Sequence, residues 1–189
     1  MMTNSKALRQ EYLFGVNGGN DRTKYALSFG YLDDNGILIT TNFKRYTFRA
    51  SVDQEINSWM KAGVSTSYGY TKSNAQSLSS GSFTGNAWYT AQFMAPIYPV
   101  YLRDENGNTV MDESGKVLFD YGESGRPKAA RFNNIADLYD NKYGVWRDNS
   151  SSRANIVLGG DNPVMGVFKG LEFSVNAGFD VTNAASSEY

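Results

Sequence analysis

A period of two, held from Asp21 to Tyr70, constrains this chain more than any other feature. Tyr25, Leu27, Phe29 and Tyr31 fall on one side of the alternation, with Lys24, Ala26, Ser28 and Gly30 on the other. After a turn, Tyr46, Phe48, Ala50 and Val52 oppose Arg45, Thr47, Arg49 and Ser51. After a second turn, Met60, Ala62, Val64, Tyr68 and Tyr70 oppose Lys61, Gly63, Ser65, Ser67 and Gly69. Successive side chains of a strand leave opposite faces of its sheet, so the pattern predicts half-buried β-strands. One face is rich in aromatics and the other is wet.

Composition agrees with an all-β chain and removes most chemistry. Tyr (13) and Phe (11) with 19 Gly suit many strands joined by turns. The 189 residues suffice for the core of one domain. Yet mean hydropathy is -0.46, and the apolar residues are strung along strands rather than gathered in blocks. A net charge of -1 makes no electrostatic case for a nucleic-acid partner. The absence of cysteine excludes disulfides and cysteine-ligated metal. The absence of histidine removes Ser-His and Cys-His nucleophiles and histidine metal sites. No Gly-x-x-x-x-Gly-Lys phosphate loop is present. Neither an enzyme nor a cofactor is expected. No apolar run approaches the roughly 18–20 residues of a membrane helix. Met1 to Lys6 carries no apolar signal region, so any export signal lies outside this sequence.

In chain order, the first strand is predicted over Glu11–Asn17, followed by a tight reversal at Gly18-Gly19-Asn20-Asp21. The second runs to about Leu32 and breaks at Asp33-Asp34-Asn35-Gly36; the third begins near Phe43. The fourth covers Trp59 to about Thr71. The regular pattern then stops. Ser73 to Asn86 reads as loop, Asn86–Met94 as a short helix ended before Pro96, and Asn133–Tyr143 as a second helix. Small hairpins are predicted around Asn106-Gly107 and Ser114-Gly115. Alternation returns at Arg153–Gly159 and, after a turn region, at Leu171–Val181. The resulting division is strands over about 9–72 and 153–182, with one large loop over about 73–152.

The first, third and fifth connections (Gly18–Asp21, Asp53–Ser58, Gly160–Gly170) read as short, the second and fourth (Asp33–Asn42, Ser73–Ser152) as longer. In an up-and-down antiparallel meander, odd and even connections lie at opposite ends. Short turns at one end and long loops at the other is the asymmetry of an outer-membrane β-barrel. Closed membrane barrels begin at about eight strands, and lipid tolerates no open edge. Six strands therefore read as part of a larger transmembrane barrel whose long loop is extracellular and contains short helices. A soluble β-sandwich or barrel is the competing fold.

Gly18-Gly19-Asn20-Asp21-Arg22-Thr23-Lys24-Tyr25 through Gly30-Tyr31-Leu32-Asp33-Asp34-Asn35-Gly36-Ile37, and Phe43-Lys44-Arg45-Tyr46, closely resemble SusC/RagA-type TonB-dependent outer-membrane transporters of Bacteroidetes. Met94-Ala95-Pro96-Ile97-Tyr98-Pro99-Val100-Tyr101 and the Asp-x-x-Gly stretch after it are similar to the next segment of the same family. The resemblance runs over nearly the whole chain. It implies a 22-stranded barrel with an N-terminal plug and a TonB-box segment, working with TonB and a SusD-like lipoprotein lid. It further implies import of a glycan or peptide solute across the outer membrane. By this resemblance the chain is expected to correspond to an early-to-middle run of barrel strands, without the plug, the TonB box and the last strand.

Within the large loop, Trp88 and Tyr89 beside Asn86 are the ligand-binding candidates. Aromatic faces with amide groups are what a sugar-binding surface uses; packing of the loop onto the barrel rim or the lid is the alternative. Arg45, Arg49 and Lys61 are expected to face the lumen, paired with plug carboxylates, lining the path, or solvated. Trp59 reads as an interfacial girdle residue. Asp104-x-Asn106-x-Asn108 begins like a calcium loop but has Thr109 at the sixth position and Gly115 at the twelfth, so it reads as a turn. The Asp33-Asp34-Asn35-Gly36 cluster also reads as a turn. Two other readings stand beside the importer segment: a soluble or surface β-rich carbohydrate-binding module, and a truncated non-functional relic.

Overall fold

A computed structural model of the chain describes residues 2–76, 90–92, 94–122, 132–140, 144–161 and 172–188. Six strands form one antiparallel sheet in the order β1-β2-β3-β4-β5-β6, each paired with its sequence neighbours. They are β1 (Arg9–Gly19), β2 (Thr23–Asn35), β3 (Asn42–Asn57), β4 (Met60–Gln76), β5 (Gly144–Asp161) and β6 (Glu172–Glu188). The only other named element among the described residues is a one-and-a-half-turn helix, α1 (Asn134–Tyr139). This is the expected all-β meander. The sheet is open, with β1 and β6 as its edges.

Local chemistry sets the short reversals. Between β1 and β2 the Asn20 side-chain oxygen accepts the backbone N–H groups of Arg22 (2.9 Å) and Thr23 (2.8 Å). Gly19 precedes it at φ +152, where a Cβ would meet the Thr23 carbonyl. Between β3 and β4, the Asn57 side-chain oxygen accepts from Trp59 (3.1 Å) and Met60 (2.9 Å). Asparagine bonding forward to the backbone is what makes it a turn residue. A register shift between Glu55 and Asn57 marks a bulge just before that turn.

The strands are longer than the alternation-based expectation. β1 gains two residues at each end, while β2 runs through Asp33–Asn35 and β3 through Asp53–Asn57, both of which read as turns. Three bounds move further. β4 continues to Gln76, β5 begins at Gly144 rather than Arg153, and β6 continues to Glu188. These extensions pair with one another: Lys72–Gln76 opposes Asp148–Gly144, and Val145–Asn149 opposes Glu188–Ala184. The connection from β2 to β3 is also shorter than expected, covering only residues 36–41. The contrast between the two ends therefore rests on the connection 77–143. The predicted helix at Asn86–Met94 lies largely outside the described residues; Thr90–Gln92 is a helical turn, with the Met94 N–H on the Thr90 carbonyl at 2.9 Å.

The core does not lie in the sheet. Among the described residues the buried apolar side chains are Leu32, Ala136, Leu138 and Val145, at the end where α1 and the strand tops meet. Along the body of the sheet large apolar side chains stand open, among them Phe14 (68%), Val175 (60%) and Phe179 (67%). The body of the sheet buries little against the other described residues.

Candidate functional site

The register converts the alternation into rows that cross the sheet, because directly opposed residues of an antiparallel pair share a face. On the outward face, Tyr12, Tyr31, Tyr46 and Tyr70 are opposed in sequence across four strands. Their rings form a continuous file, with centroids 6.4, 5.0 and 6.1 Å apart. Below it lie Phe14, Phe29, Phe48 and Tyr68, continued by Ser152 and Val181. Next come Val16, Leu27, Ala50, Thr66, Ala154 and Phe179, and then Tyr25, Val52, Val64, Ile156 and Ala177. Ala62, Leu158, Val175 and finally Met60 and Phe173 complete the band.

From Met60 to Tyr70 is ten steps along β4. At about 3.3 Å per step and a tilt of about 40° this is a band about 25 Å tall, the height of a barrel's lipid-facing belt. The row just above the tyrosines changes character at once, reading Gln10, Asp33, Lys44, Lys72, Asp148. Lys44 lies 3.4 Å from Asp33, and Lys72 stands over the Trp146 ring at 5.9 Å. Tyrosine file and charged row together draw the edge of the apolar belt.

The inward face is mostly polar, its large apolar exceptions among the described residues being Leu13, Leu32, Phe43, Val145 and Val157. Arg45 and Arg9 both reach Glu11, at 3.3 and 3.2 Å; Lys61 meets Glu55 at 3.1 Å; Arg153 meets Asp180 at 2.7 Å. Small residues fill the rows between these pairs. One reads Leu13, Gly30, Thr47, Gly69, Ser151, Thr182, small but for Leu13 at its β1 end, and another Asn17, Ala26, Ser51, Ser65, Asn155, Gly178. Such a floor leaves room for a body packed against it or for water.

The outer end carries a folded cap. Asn133 caps α1, its side-chain oxygen accepting the Ala136 N–H at 3.0 Å, while its amide donates to the Val100 (2.7 Å) and Asp120 (3.1 Å) carbonyls. That ties α1 to residues 100–120, which form a small knob. Phe119 lies between Tyr101 (5.5 Å) and Tyr139 (6.0 Å), stacked on the latter. Within the knob, the Leu102 N–H bonds the Leu118 carbonyl, Val110 bonds Leu102, and Leu118 bonds Val110, a closed ring of three. The three lie eight residues apart, as do Asp104, Asp112 and Asp120. Each aspartate closes a turn: Asp104 accepts from Asn106 and Asn108, Asp112 from Ser114 and Lys116, Asp120 from Gly122. Gly107 (φ +84) and Gly115 (φ +81) supply the left-handed positions. The backbone N–H of Asn108 holds Asp104 below the usual carboxylate range; the Ser114 hydroxyl and the Lys116 N–H do the same for Asp112.

Thr40 joins this cap to the sheet. Its hydroxyl donates to the Leu138 carbonyl at 3.0 Å, and its own carbonyl accepts from the Asn74 amide. It does so at φ +67, a conformation that a β-branched residue rarely adopts.

Of the residues singled out in the sequence, Asn86, Trp88 and Tyr89 lie outside the described residues. Arg45, Arg49 and Lys61 all lie on the inward face. Trp59 stands at the β3–β4 turn, 37% exposed, at the lower edge of the apolar band. Asp104 spends its carboxylate on backbone N–H groups, the arrangement of a turn rather than of a cation ligand. Asp33 points outward to Lys44 and to the Tyr31 hydroxyl (3.0 Å), so the Asp33–Gly36 cluster is divided between faces. Among the described residues no group of three or more acidic side chains is placed to hold a metal ion. The eightfold spacing of aspartates in the knob escaped the sequence reading, although Asp104, Asp112 and Asp120 were its visible signal.

No family model matches the chain. It is 23% identical over 173 residues to TonB-dependent receptor P3 of Formosa agariphila, covering 91% of this chain and 15% of that receptor. A stretch of 41 residues is 44% identical to TonB-dependent receptor SusC of Bacteroides thetaiotaomicron, covering 22% of this chain and 4% of SusC. The chain resembles TonB-dependent receptors of the SusC/RagA type. The structure of the RagAB peptide importer in its closed-closed state superposes with a TM-score of 0.58 at 22% identity, over 94% of this chain and 18% of that one. That likeness supports the fold: a SusC/RagA-type barrel contains a run of strands arranged as these six are. The chain thus spans less than a fifth of the receptors it matches at length. They are named as receptors and an importer, not as enzymes.

Proposed function

We propose that residues 1–189 are part of the wall of a TonB-dependent outer-membrane importer, with the connection 77–143 forming part of its extracellular vestibule. The observation that carries this reading is the two-sided register. An apolar belt about 25 Å tall, edged by the Tyr12–Tyr31–Tyr46–Tyr70 file, backs directly onto a face of serines, glycines and paired charges. A soluble sheet would cover that belt with a second layer; the described residues place nothing over it.

In this reading the parent protein takes up an oligosaccharide or a peptide, closes beneath a SusD-like lipoprotein, and releases the solute inward when TonB acts on a plug. The named relatives support a TonB-dependent importer, and the likeness to the RagAB peptide importer supports a peptide as one solute class. Asn86, Trp88 and Tyr89 are the proposed vestibule contacts, by their residue types and their place in the outer connection. The chain's own contribution is mechanical: it separates lipid from the path and holds the outer cap. No covalent chemistry is assigned to it.

The test is the size and location of the native polypeptide. Outer membranes of the source cell are fractionated and peptides from this sequence are mapped to their gel band. A band several times larger than 20.9 kDa in the outer-membrane fraction is the expected result. A soluble band near 20.9 kDa overturns the importer reading and leaves a free-standing binding module.

A further inference from the structure

Among the described residues every cationic side chain on the inward face at the level of the lipid belt has an acidic partner or neighbour on the sheet, with one exception. Arg9 and Arg45 share Glu11, Lys61 has Glu55, and Arg153 has Asp180. Lys24 stands directly opposite Asp53. Arg147 has no ion-pair partner among the described residues, but it lies above the tyrosine file, opposite Ser73 and Ser186, at the outer rim. Arg49 is different. Its row reads Gly15, Ser28, Arg49, Ser67, Arg153, Asp180, and the single acid in it, three strands away, is held by Arg153 at 2.7 Å. The inward rows directly above and below hold no acidic residue.

The register thus bars any carboxylate of this sheet from reaching Arg49. The guanidinium is permanently charged and stands over low neighbours, beside a recess of about 500 Å³ lined by Ser28, Ser51, Ser65, Ser67 and Arg153. Serine hydroxyls on three sides add donors around a planar fork, and a second guanidinium borders the recess. That combination fits a planar anion taken in bidentate fashion.

We propose that Arg49 is an anion subsite on the inner wall and takes a carboxylate supplied from outside the sheet. The inference rests on the reading of this face as the inside of a barrel. The carboxylate comes either from another part of the native polypeptide folded within the barrel or from an acidic solute. One experiment separates these sources.

The native polypeptide carrying R49K is treated in isolated membranes with a carbodiimide, which condenses an amine and a touching carboxylate to an amide with loss of the urea. The experiment is run with and without N-acetyl-trialanine, a probe with a single carboxylate. The Lys61–Glu55 pair at 3.1 Å is the internal control in every sample. A cross-link from position 49 to a peptide of the same polypeptide identifies a protein carboxylate. A probe adduct at position 49 identifies a solute site. Both support the proposal. In unmodified protein Arg49 should also react with phenylglyoxal several-fold more slowly than Arg147, a readout that does not depend on the variant folding. Formation of the Lys61–Glu55 amide with no adduct at position 49, together with equal phenylglyoxal rates, overturns it. The importer reading is judged separately, by the membrane fraction in which the polypeptide is found.

Discussion

Arginine placed at neighbouring positions on opposite faces of β4 tests the two-sided wall most directly. Val64 lies in the apolar band, four steps above Met60 and six below Tyr70, and is 50% exposed because none of the described residues covers it. Ser65 points the other way, between Ser51 and Asn155, where an arginine side chain has room. At about 3.3 Å per residue and a tilt of about 40°, Val64 lies roughly 10 Å into the belt. A lipid-facing arginine near the midplane of a membrane barrel costs about 2–4 kcal/mol. Val64→Arg should therefore shift the folding equilibrium by roughly 30- to 700-fold, since 1.4 kcal/mol is tenfold. Ser65→Arg should change it by less than about 1 kcal/mol, as a solvated surface substitution does. The assay is urea unfolding of the native polypeptide in phospholipid vesicles, with its abundance in outer membranes as a second readout. Equal effects at the two positions, or a larger one at Ser65, would refute the assignment of faces.

Three further outcomes follow from the outer cap. Thr40→Ala keeps the φ of +67 and loses the bond to Leu138, so it should loosen the cap by about 1 kcal/mol; Thr40→Gly relieves strain of about 1–3 kcal/mol and should be the milder change, as read by amide exchange at α1. Asn133→Ala removes the helix cap and two carbonyl ties together, which should cost about 1–2 kcal/mol or more and open residues 100–140 to limited proteolysis before the strands. The carboxylates of Asp104 and Asp112 titrate below their ordinary value of 3.8, so their support is complete above it and lost as pH falls through the lowered values. Exchange at the Asn108 and Lys116 amides should thus be flat from pH 7 to about 5, after correction for intrinsic rates, and rise below about 4. Asp104→Asn should abolish that rise at Asn108.

Much of the wall was legible because one of its faces is meant for an apolar medium. Tyr25 to Tyr31, Tyr46 to Val52 and Phe173 to Val181 alternate because each second residue meets that medium. The first half of β5 and the end of β6 gave no such signal. Above the tyrosine file the outward positions of these strands are Trp146, Asp148, Ala185 and Ser187, so polarity no longer distinguishes the two sides. Membership of the strand is dictated there by pairing with Lys72–Gln76, a relation between distant residues that no local pattern carries. The tyrosine file has the same origin: each tyrosine was visible, but their alignment depends on the registers of three ladders. The knob was missed for a different reason. Its repeat is eight residues long and keeps only an apolar residue, an aspartate two positions later and, in the first two copies, a glycine, far less than the repeats that form whole domains. The ligand candidates Asn86, Trp88 and Tyr89 rest on residue type and on their place in the long connection.

Gln76 and Gly144 are directly opposed at the top of the β4–β5 ladder. The long insertion between them therefore leaves and re-enters the wall about 5 Å apart, across a single rung. An excursion pinned so narrowly at its base is a cassette. It can lengthen, shrink or be exchanged for another without altering a strand register elsewhere, because every ladder of the sheet joins sequence neighbours. A wall of this kind can keep its architecture while its outer face diversifies. Grafting residues 77–143 from one such protein onto another should carry the outer surface across with the wall intact.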